Sequence, residues 1–186
     1  MRPGTRHRPR KRSLPLARVY RLLEPGPVVL LTTCARGRLD VMPMSWYTMI
    51  EFEPPLVGCV ISDRNHSFRA VQATGECVLN IPTSELVRAV VRCGNTSGRT
   101  VDKFRAFGLT PVAAARVRAP LVDECYASLE ARVIDARMVR RYGLFVLEVV
   151  QAWIDPSVKR PRTLHHRGRG EFMVAGEIIR LRSGKR

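Results

Sequence analysis

Residues 28–34, VVLLTTC, are apolar or β-branched, a turn with Gly37 follows at 35–38, and apolar positions resume over 39–49. Two such runs around a short glycine turn predict a β-hairpin. The segment EFEPP at 51–55 breaks the pattern, and 56–62 reads as a third strand. From Asn65 the period changes. Phe68 and Val71 share one helical face between Asn65, a good N-cap residue, and Gly75, a C-cap residue, which predicts a short helix. Residues 77–81 return to a strand that Pro82 stops. Thr83 then caps a second helix with Leu86, Val87, Val90 and Val91 on one side, and Gly94 ends it. Residues 129–136 and 144–154 read as long strands joined near 140–143. Short strands dominate, two short helices interrupt them, and no sustained strand–helix alternation or internal repeat is present. The expected class is mainly β, an antiparallel barrel with helical insertions rather than a doubly wound parallel sheet.

Composition narrows this further. The 186 residues are 45% hydrophobic, enough to bury a core, so the chain fits one domain with appended arms. No apolar run approaches the ~20 residues of a membrane helix. The basic N-terminus lacks the apolar segment and cleavage site of a signal peptide, so a cytoplasmic location is expected. Cys34, Cys59, Cys77, Cys93 and Cys125 form no C-x-x-C pair and mostly sit inside apolar stretches, as buried free thiols do. The four histidines add no zinc-ligand spacing, so no metal site is expected.

The net charge of +16 lies in the ends. Residues 1–13 carry six Lys or Arg and no acid, and read as a disordered basic arm. Residues 156–186 carry nine Lys or Arg against Glu171 and Glu177, a second basic arm after the break PSVKRPR. The globular part, 14–155, holds seventeen bases and fourteen acids. Basic ends attract any polyanion without specifying one, and no zinc finger, helix-turn-helix or RNA-binding aromatic sheet is visible. A basic-armed nucleic-acid binder is therefore the minor reading.

Three constellations carry chemistry. Arg64, Asn65, His66 and Ser67 stand after a strand at a helix start, where free N–H groups, an arginine and a hydroxyl suit a phosphate. Ordinary capping with a solvated Arg64 is the alternative. Met44, Ser45, Trp46, Tyr47 and Thr48 set hydroxyls beside aromatic faces at a strand end, a mixture that a flat heteroaromatic ligand uses. A half-buried strand of alternating polarity has the same look. The loop CGNTSGRTVDKF at 93–104 gathers Asn95, Thr96, Ser97, Gly98, Asp102 and Lys103. It can line a polar edge with Lys103 as a nearby cation, or be a capped connection in which Asp102 and Lys103 are solvated. There is no G-x-G-x-x-G after a strand, no Walker loop and no G-x-S-x-G elbow, and no paired nucleophile and base. A catalytic role then requires a cofactor to carry the chemistry.

The segments EPGPVVLLTT (24–33), MPMSWYT (42–48) with EPP (53–55), DRNHSF (63–68), GNTSGRTVDKF (94–104), APLVDECYASLEARV (119–133) and LHHRGRGEFMVAG (164–176) together resemble the flavin reductase-like, FMN-binding split-barrel family, its flavoredoxin-type branch in particular. The resemblance implies a six-stranded antiparallel split β-barrel and a homodimer with noncovalent FMN, rather than FAD, near the subunit interface. It places the ring beside Ser45, Trp46, Tyr47 and Thr48, the phosphate on Arg64, Asn65 and Ser67, and the loop 96–103 at the flavin's polar side. Lys103 would lend its charge to the reduced ring. Asp40 is a departure, because relatives often carry Asn there. The implied activity is a flavin reductase taking hydride from NADH or NADPH and passing electrons to an acceptor or a partner such as a monooxygenase. A flavoredoxin-like electron carrier without nicotinamide activity is the alternative. The C-terminal arm is expected to pack partly on the barrel or the partner subunit, and Trp46 and Trp153 are expected as buried anchors of the dimer.

Overall fold

A computed structural model describes residues 11–19 and 26–182. Strands β2 (Val29–Ala35) and β3 (Arg38–Met44) form the expected hairpin, its turn carried by Arg36 and Gly37 at positive φ. β4 (Tyr47–Glu51) and β5 (Leu56–Val60) follow, then helix α1 (His66–Thr74) and β6 (Glu76–Ile81). A 3-10 turn (Ser84–Leu86) leads into α2 (Val87–Gly94), and Asp102 caps the short α3 (Lys103–Phe107). Two-residue strands β7 (Pro111–Val112) and β8 (Leu121–Val122) precede the long strands β9 (Ala127–Asp135) and β10 (Leu144–Ile154), which one helical turn, α4 (Val139–Tyr142), connects. β11 (Leu164–Gly168) and β12 (Glu171–Val174) make a last hairpin.

The main sheet runs β3-β2-β6-β9-β10-β5-β4, antiparallel throughout, with β1 (Arg12–Leu14) also paired to β10. It is an eight-stranded sheet, where six strands were expected. One added strand comes from residues 39–49, which do not run on as a single strand. Ser45 and Trp46 form a corner, so that β3 ends one edge of the sheet and β4 ends the other.

The other added strand corrects the expected boundary of the N-terminal arm. Residues 1–10 lie outside the described residues, but Arg12, Ser13 and Leu14 pair with Ile154, Trp153 and Ala152. Lys11 is buried, donating to the Val122 carbonyl and, at 3.2 Å, to Ser128 Oγ. A segment that reads as solvated in sequence is held by backbone pairing that no charge pattern reveals.

β2 is buried on both faces, which explains its unbroken apolar run. Val29 and Leu31 enter the barrel core with Leu79, Leu129, Phe145 and Leu147. Val28 and Leu30 face a second core with Val90, Cys93, Phe104 and Leu164. That second core fastens α2, α3 and the C-terminal hairpin to the outside of the sheet, with the Val28 N–H donating to the Leu164 carbonyl at 2.6 Å. One buried carboxylate is satisfied by a set of donors. The Glu130 carboxylate accepts from the backbone of Ala115, Arg116 and Val117 and from Trp153 Nε1. Trp153 is therefore engaged inside its own chain, while Trp46 is 72% exposed.

Candidate functional site

The β3–β4 corner opens onto a large cleft, about 1420 Å³. Met44, Ser45 and Trp46 form its base, and the Trp46 carbonyl is fixed by the Val60 N–H at 2.9 Å. β5 runs out as Val60, Ile61, Ser62 and Asp63 along one wall, and α1 adds Phe68 and Gln72. Asn65 occupies the N-cap position of α1 with extended backbone, yet its side chain makes no capping bond and lines the cleft instead. At the opposite side, α2 ends against Pro43, where a β-carbon on Gly94 would sit 3.1 Å from the proline ring. That close approach brings Asn95 to the rim.

Two further elements close the cleft. Gly143 ends α4 in the left-handed region, and a β-carbon there would meet the Ile61 carbonyl at 2.5 Å. The Ile61 N–H in turn donates to the Gly143 carbonyl at 2.9 Å. Only glycine permits this contact, which sets Arg140, Arg141 and Tyr142 along the cleft. The β11–β12 hairpin contributes His166, Arg169, Gly170 and Phe172, with the His166 and Phe172 rings 5.2 Å apart.

Of the residues expected at a site, the cleft brings together Met44, Ser45, Trp46, Asn65 and Asn95. Tyr47 and Thr48 do not line it. Tyr47 belongs to the edge of the barrel core and its hydroxyl donates to the Pro27 carbonyl, while Thr48 is exposed on the other side of β4. Arg64 is exposed beside the cleft mouth, one residue before Asn65. Asp102 turns to its own helix, accepting from the Arg105 N–H at 3.2 Å.

Lys103, His66, Ser67 and Gly98 converge on Asp40 behind the cleft. Lys103 Nζ lies 3.3 Å from Asp40 Oδ1 and donates to the Val41 carbonyl at 2.7 Å. Ser67 Oγ donates to Asp40 Oδ2 at 2.7 Å, with His66 Nδ1 3.2 Å from the same oxygen. Gly98 packs so closely that a β-carbon would stand 2.1 Å from Asp40 Oδ1. Arg38 adds a clamp, donating to the carbonyls of Gly98 and Arg99 at 2.6 and 2.7 Å. The expected place of Lys103 beside a ligand ring is thus corrected. Its ammonium is buried against Asp40, and the loop 94–104 is tied to β3 by Lys103 and by the Gly98 and Arg99 carbonyls, while Ser97 and Asp102 bond within the loop and its helix end. Nearby, burial raises the Cys93 thiol to about 11, with the Lys103 charge opposing that rise.

Sequence reading missed Ser62, Asp63, Gln72, Arg140, Arg141, Tyr142, His166, Arg169 and Phe172 as cleft residues. The Arg140-Arg141 doublet and the RGRG run were visible only as charge. Nothing local indicates that two loops so far apart in sequence face one cavity.

A flavin reductase like domain family matches residues 20–172, most of the chain. The chain belongs to the flavin reductase-like family. Escherichia coli K12 YddH is 31% identical over 173 residues, covering 86% of this chain and 92% of that protein. Among solved structures, an FMN-binding domain of a flavin reductases-like enzyme from Shewanella baltica superposes with a TM-score of 0.87 at 27% identity, over 92% of this chain and 97% of that one. Flavoredoxin of Desulfovibrio vulgaris (Miyazaki F) gives 0.76 at 25% identity, over 84% and 90%. The mainly β, split-barrel reading of the sequence agrees with both. No helix among the described residues is long and apolar enough to cross a membrane.

The cleft suits the group this family implies. Met44, Trp46, Val60 and Phe68 offer apolar surface for a flat ring, Ser45 and Asn95 offer edge donors and acceptors, and the uncommitted Asn65 amide stands at a helix start suited to a phosphate.

Proposed function

We propose that this protein binds FMN in the cleft at the β3–β4 corner and acts as a flavin reductase. It takes hydride from NADH or NADPH and passes electrons to an acceptor or a partner protein such as a monooxygenase. The observation that carries the reading is the corner itself: Met44, Ser45 and Trp46 face Asn65 and Asn95 across one cavity in a flavin reductase-like fold. Bound FMN supplies the reversible acceptance of hydride. The chain's part is to bind and orient. Met44, Trp46 and Phe68 contact ring faces and exclude water, Ser45 and Asn95 satisfy the polar edge, and Asn65 with Arg64 holds the phosphate. Thr96 and Ser97 approach from the loop that Asp40, Gly98 and Lys103 anchor.

A homodimer fits this reading. Trp46, Ile50 and Phe52 are 72%, 51% and 58% exposed around β4, an apolar surface beside the cleft that a second copy would cover. Five free thiols suit the cytoplasm.

Visible absorbance of the purified protein, followed by anaerobic addition of each nicotinamide, tests the proposal. Yellow protein that bleaches is the expected result. Yellow protein that does not bleach would mark an electron carrier reduced by another protein. Colourless protein that takes up no added FMN would end the flavin reading.

A further inference from the structure

Arg140 and Arg141 on α4 and Arg169 in the β11–β12 turn reach the same cleft from elements nearly thirty residues apart in the chain. None of the three forms an ion pair among the described residues, whereas neighbouring Arg167 lies 3.9 Å from Glu171. The cleft lining contains one carboxylate, Asp63, against these three guanidinium groups. Arg169 itself holds a left-handed conformation, φ 49°, between Gly168 and Gly170, which are also at positive φ. Three exposed guanidinium groups lining one cleft favour a ligand of opposite sign. The cavity, about 1420 Å³, also exceeds the roughly 300–1,000 Å³ typical of a single ligand.

We propose that Arg140, Arg141 and Arg169 recognise the phosphate on the adenosine ribose of NADPH and so select NADPH over NADH. This rests on the cleft being the flavin site proposed above. FMN brings one phosphate, for which Asn65 and the start of α1 already provide. The hydride donor brings a pyrophosphate in either form and a further dianion only in NADPH. Guanidinium groups match such a dianion with paired, charge-assisted hydrogen bonds. Arg141 lies 5.0 Å over the Tyr142 ring, which orients its fork, and the half-exposed Tyr142 ring offers a surface to an adenine.

Two measurements on the flavin-loaded protein test this: the ratio of kcat/KM for NADPH to that for NADH, and calorimetric titration with 2′,5′-ADP and with 5′-AMP. Wild type should favour NADPH and bind 2′,5′-ADP more tightly than 5′-AMP. The most damaging of Arg140→Gln, Arg141→Gln and Arg169→Gln should lower both preferences by roughly 10- to 150-fold, the worth of one charge-assisted bond. The lysine replacement at that position should recover part of the loss. All three side chains are exposed, so the variants should fold; far-UV spectra check this. Equal use of both donors by wild type overturns the proposal. So does an equal loss for both donors, which would put the arginines on the shared pyrophosphate, or a loss of FMN affinity not shared by riboflavin, which would put them on the flavin phosphate. Failure to bind FMN at all instead ends the functional reading, and the 2′,5′-ADP titration still reports on the arginines.

Discussion

Lys103 and Asp40, 63 positions apart in the chain, are joined in a buried ion pair 3.3 Å long, with 4% and 3% of their side chains exposed. Both charges have left water; Lys103 donates to the Val41 carbonyl and Asp40 Oδ2 is held by Ser67 and His66, while Asp40 Oδ1 has the Lys103 ammonium beside it and no hydrogen bond among the described residues. Lys103→Met should therefore strand the Asp40 carboxylate and cost about 3–5 kcal/mol of folding stability, the usual penalty for breaking a buried pair from one side. Asp40→Asn combined with Lys103→Met removes both charges and should recover much of that loss. Urea unfolding of the single and double variants checks this. A single variant as stable as wild type, or a double variant no better than the single, would show that the pair contributes little.

The buried end of the N-terminal segment gives a pH-dependent expectation. Burial lowers the Lys11 pKa below its ordinary 10.5, against the raising effect of Cys125, Asp123, Glu124 and Asp155. Below the lowered value Lys11 is charged in both states, and burying that charge costs stability. As pH rises toward 10.5, the folded protein loses the proton first while the unfolded chain still holds it, so the penalty fades. Wild type should consequently gain stability relative to Lys11→Met as the pH rises toward 10.5. A stability difference that stays flat or falls across this window would mean that Lys11 is not buried as a cation.

These two residues also mark what sequence reveals and what it hides. The β2–β3 hairpin and α1 were legible because their signals are local: Gly37 and Gly75 both adopt the positive φ that their turns demand. The Ser45–Trp46 corner itself carries neither Gly nor Pro; Pro43 in 39–49 marks β3 as an edge strand but not the point where one strand becomes two. Lys11 looked solvated because its partners, Val122 and Ser128, lie more than a hundred residues away. Of the cleft residues, Met44, Ser45, Trp46, Asn65 and Asn95 had been singled out by residue type near a strand or helix end. Arg140, Arg141 and Arg169 were not, because a cavity wall assembled by the Gly143–Ile61 contact has no one-dimensional pattern.

Thiol reactivity should separate one cysteine from four. Burial drives Cys59 well above its ordinary pKa, raises Cys77 and Cys125 to about 12, and raises Cys93 to about 11. At pH 8 a thiol of pKa about 12 is thiolate in roughly one molecule in ten thousand, and these groups are also shielded. Cys34, at the end of β2, is only half buried and so is within a reagent's reach. A disulfide reagent should label one thiol promptly in the native protein and five in urea. Rapid labelling of two or more native thiols would mean that the second core around Cys93 and Cys125 opens readily.

The last expectation separates ligand binding from helix capping at Asn65. An asparagine at an N-cap ordinarily contributes about 1 kcal/mol by accepting a backbone N–H bond, so its loss destabilises the fold. Here the Asn65 side chain makes no such bond and faces the cleft. Asn65→Ala should therefore change the urea midpoint of the flavin-free protein little. Its effect should appear on FMN, whose phosphate is charged: a hydrogen bond to a charged group is worth about 1.5–3 kcal/mol, or roughly 10- to 150-fold in Kd. Riboflavin has the same ring without the phosphate and should bind wild type and variant alike. Arg64→Ala should act in the same direction, because its exposed guanidinium stands one residue before Asn65 and is free to swing toward a dianion at the cleft mouth. Fluorescence titration of wild type and both variants with FMN and riboflavin decides it. If Asn65→Ala weakens both flavins equally, Asn65 acts on the ring or on the shape of the turn, and the phosphate lies elsewhere in the cleft. If it instead destabilises the flavin-free protein by a full capping energy, the side chain closes onto α1 in solution and the helix start is an ordinary cap.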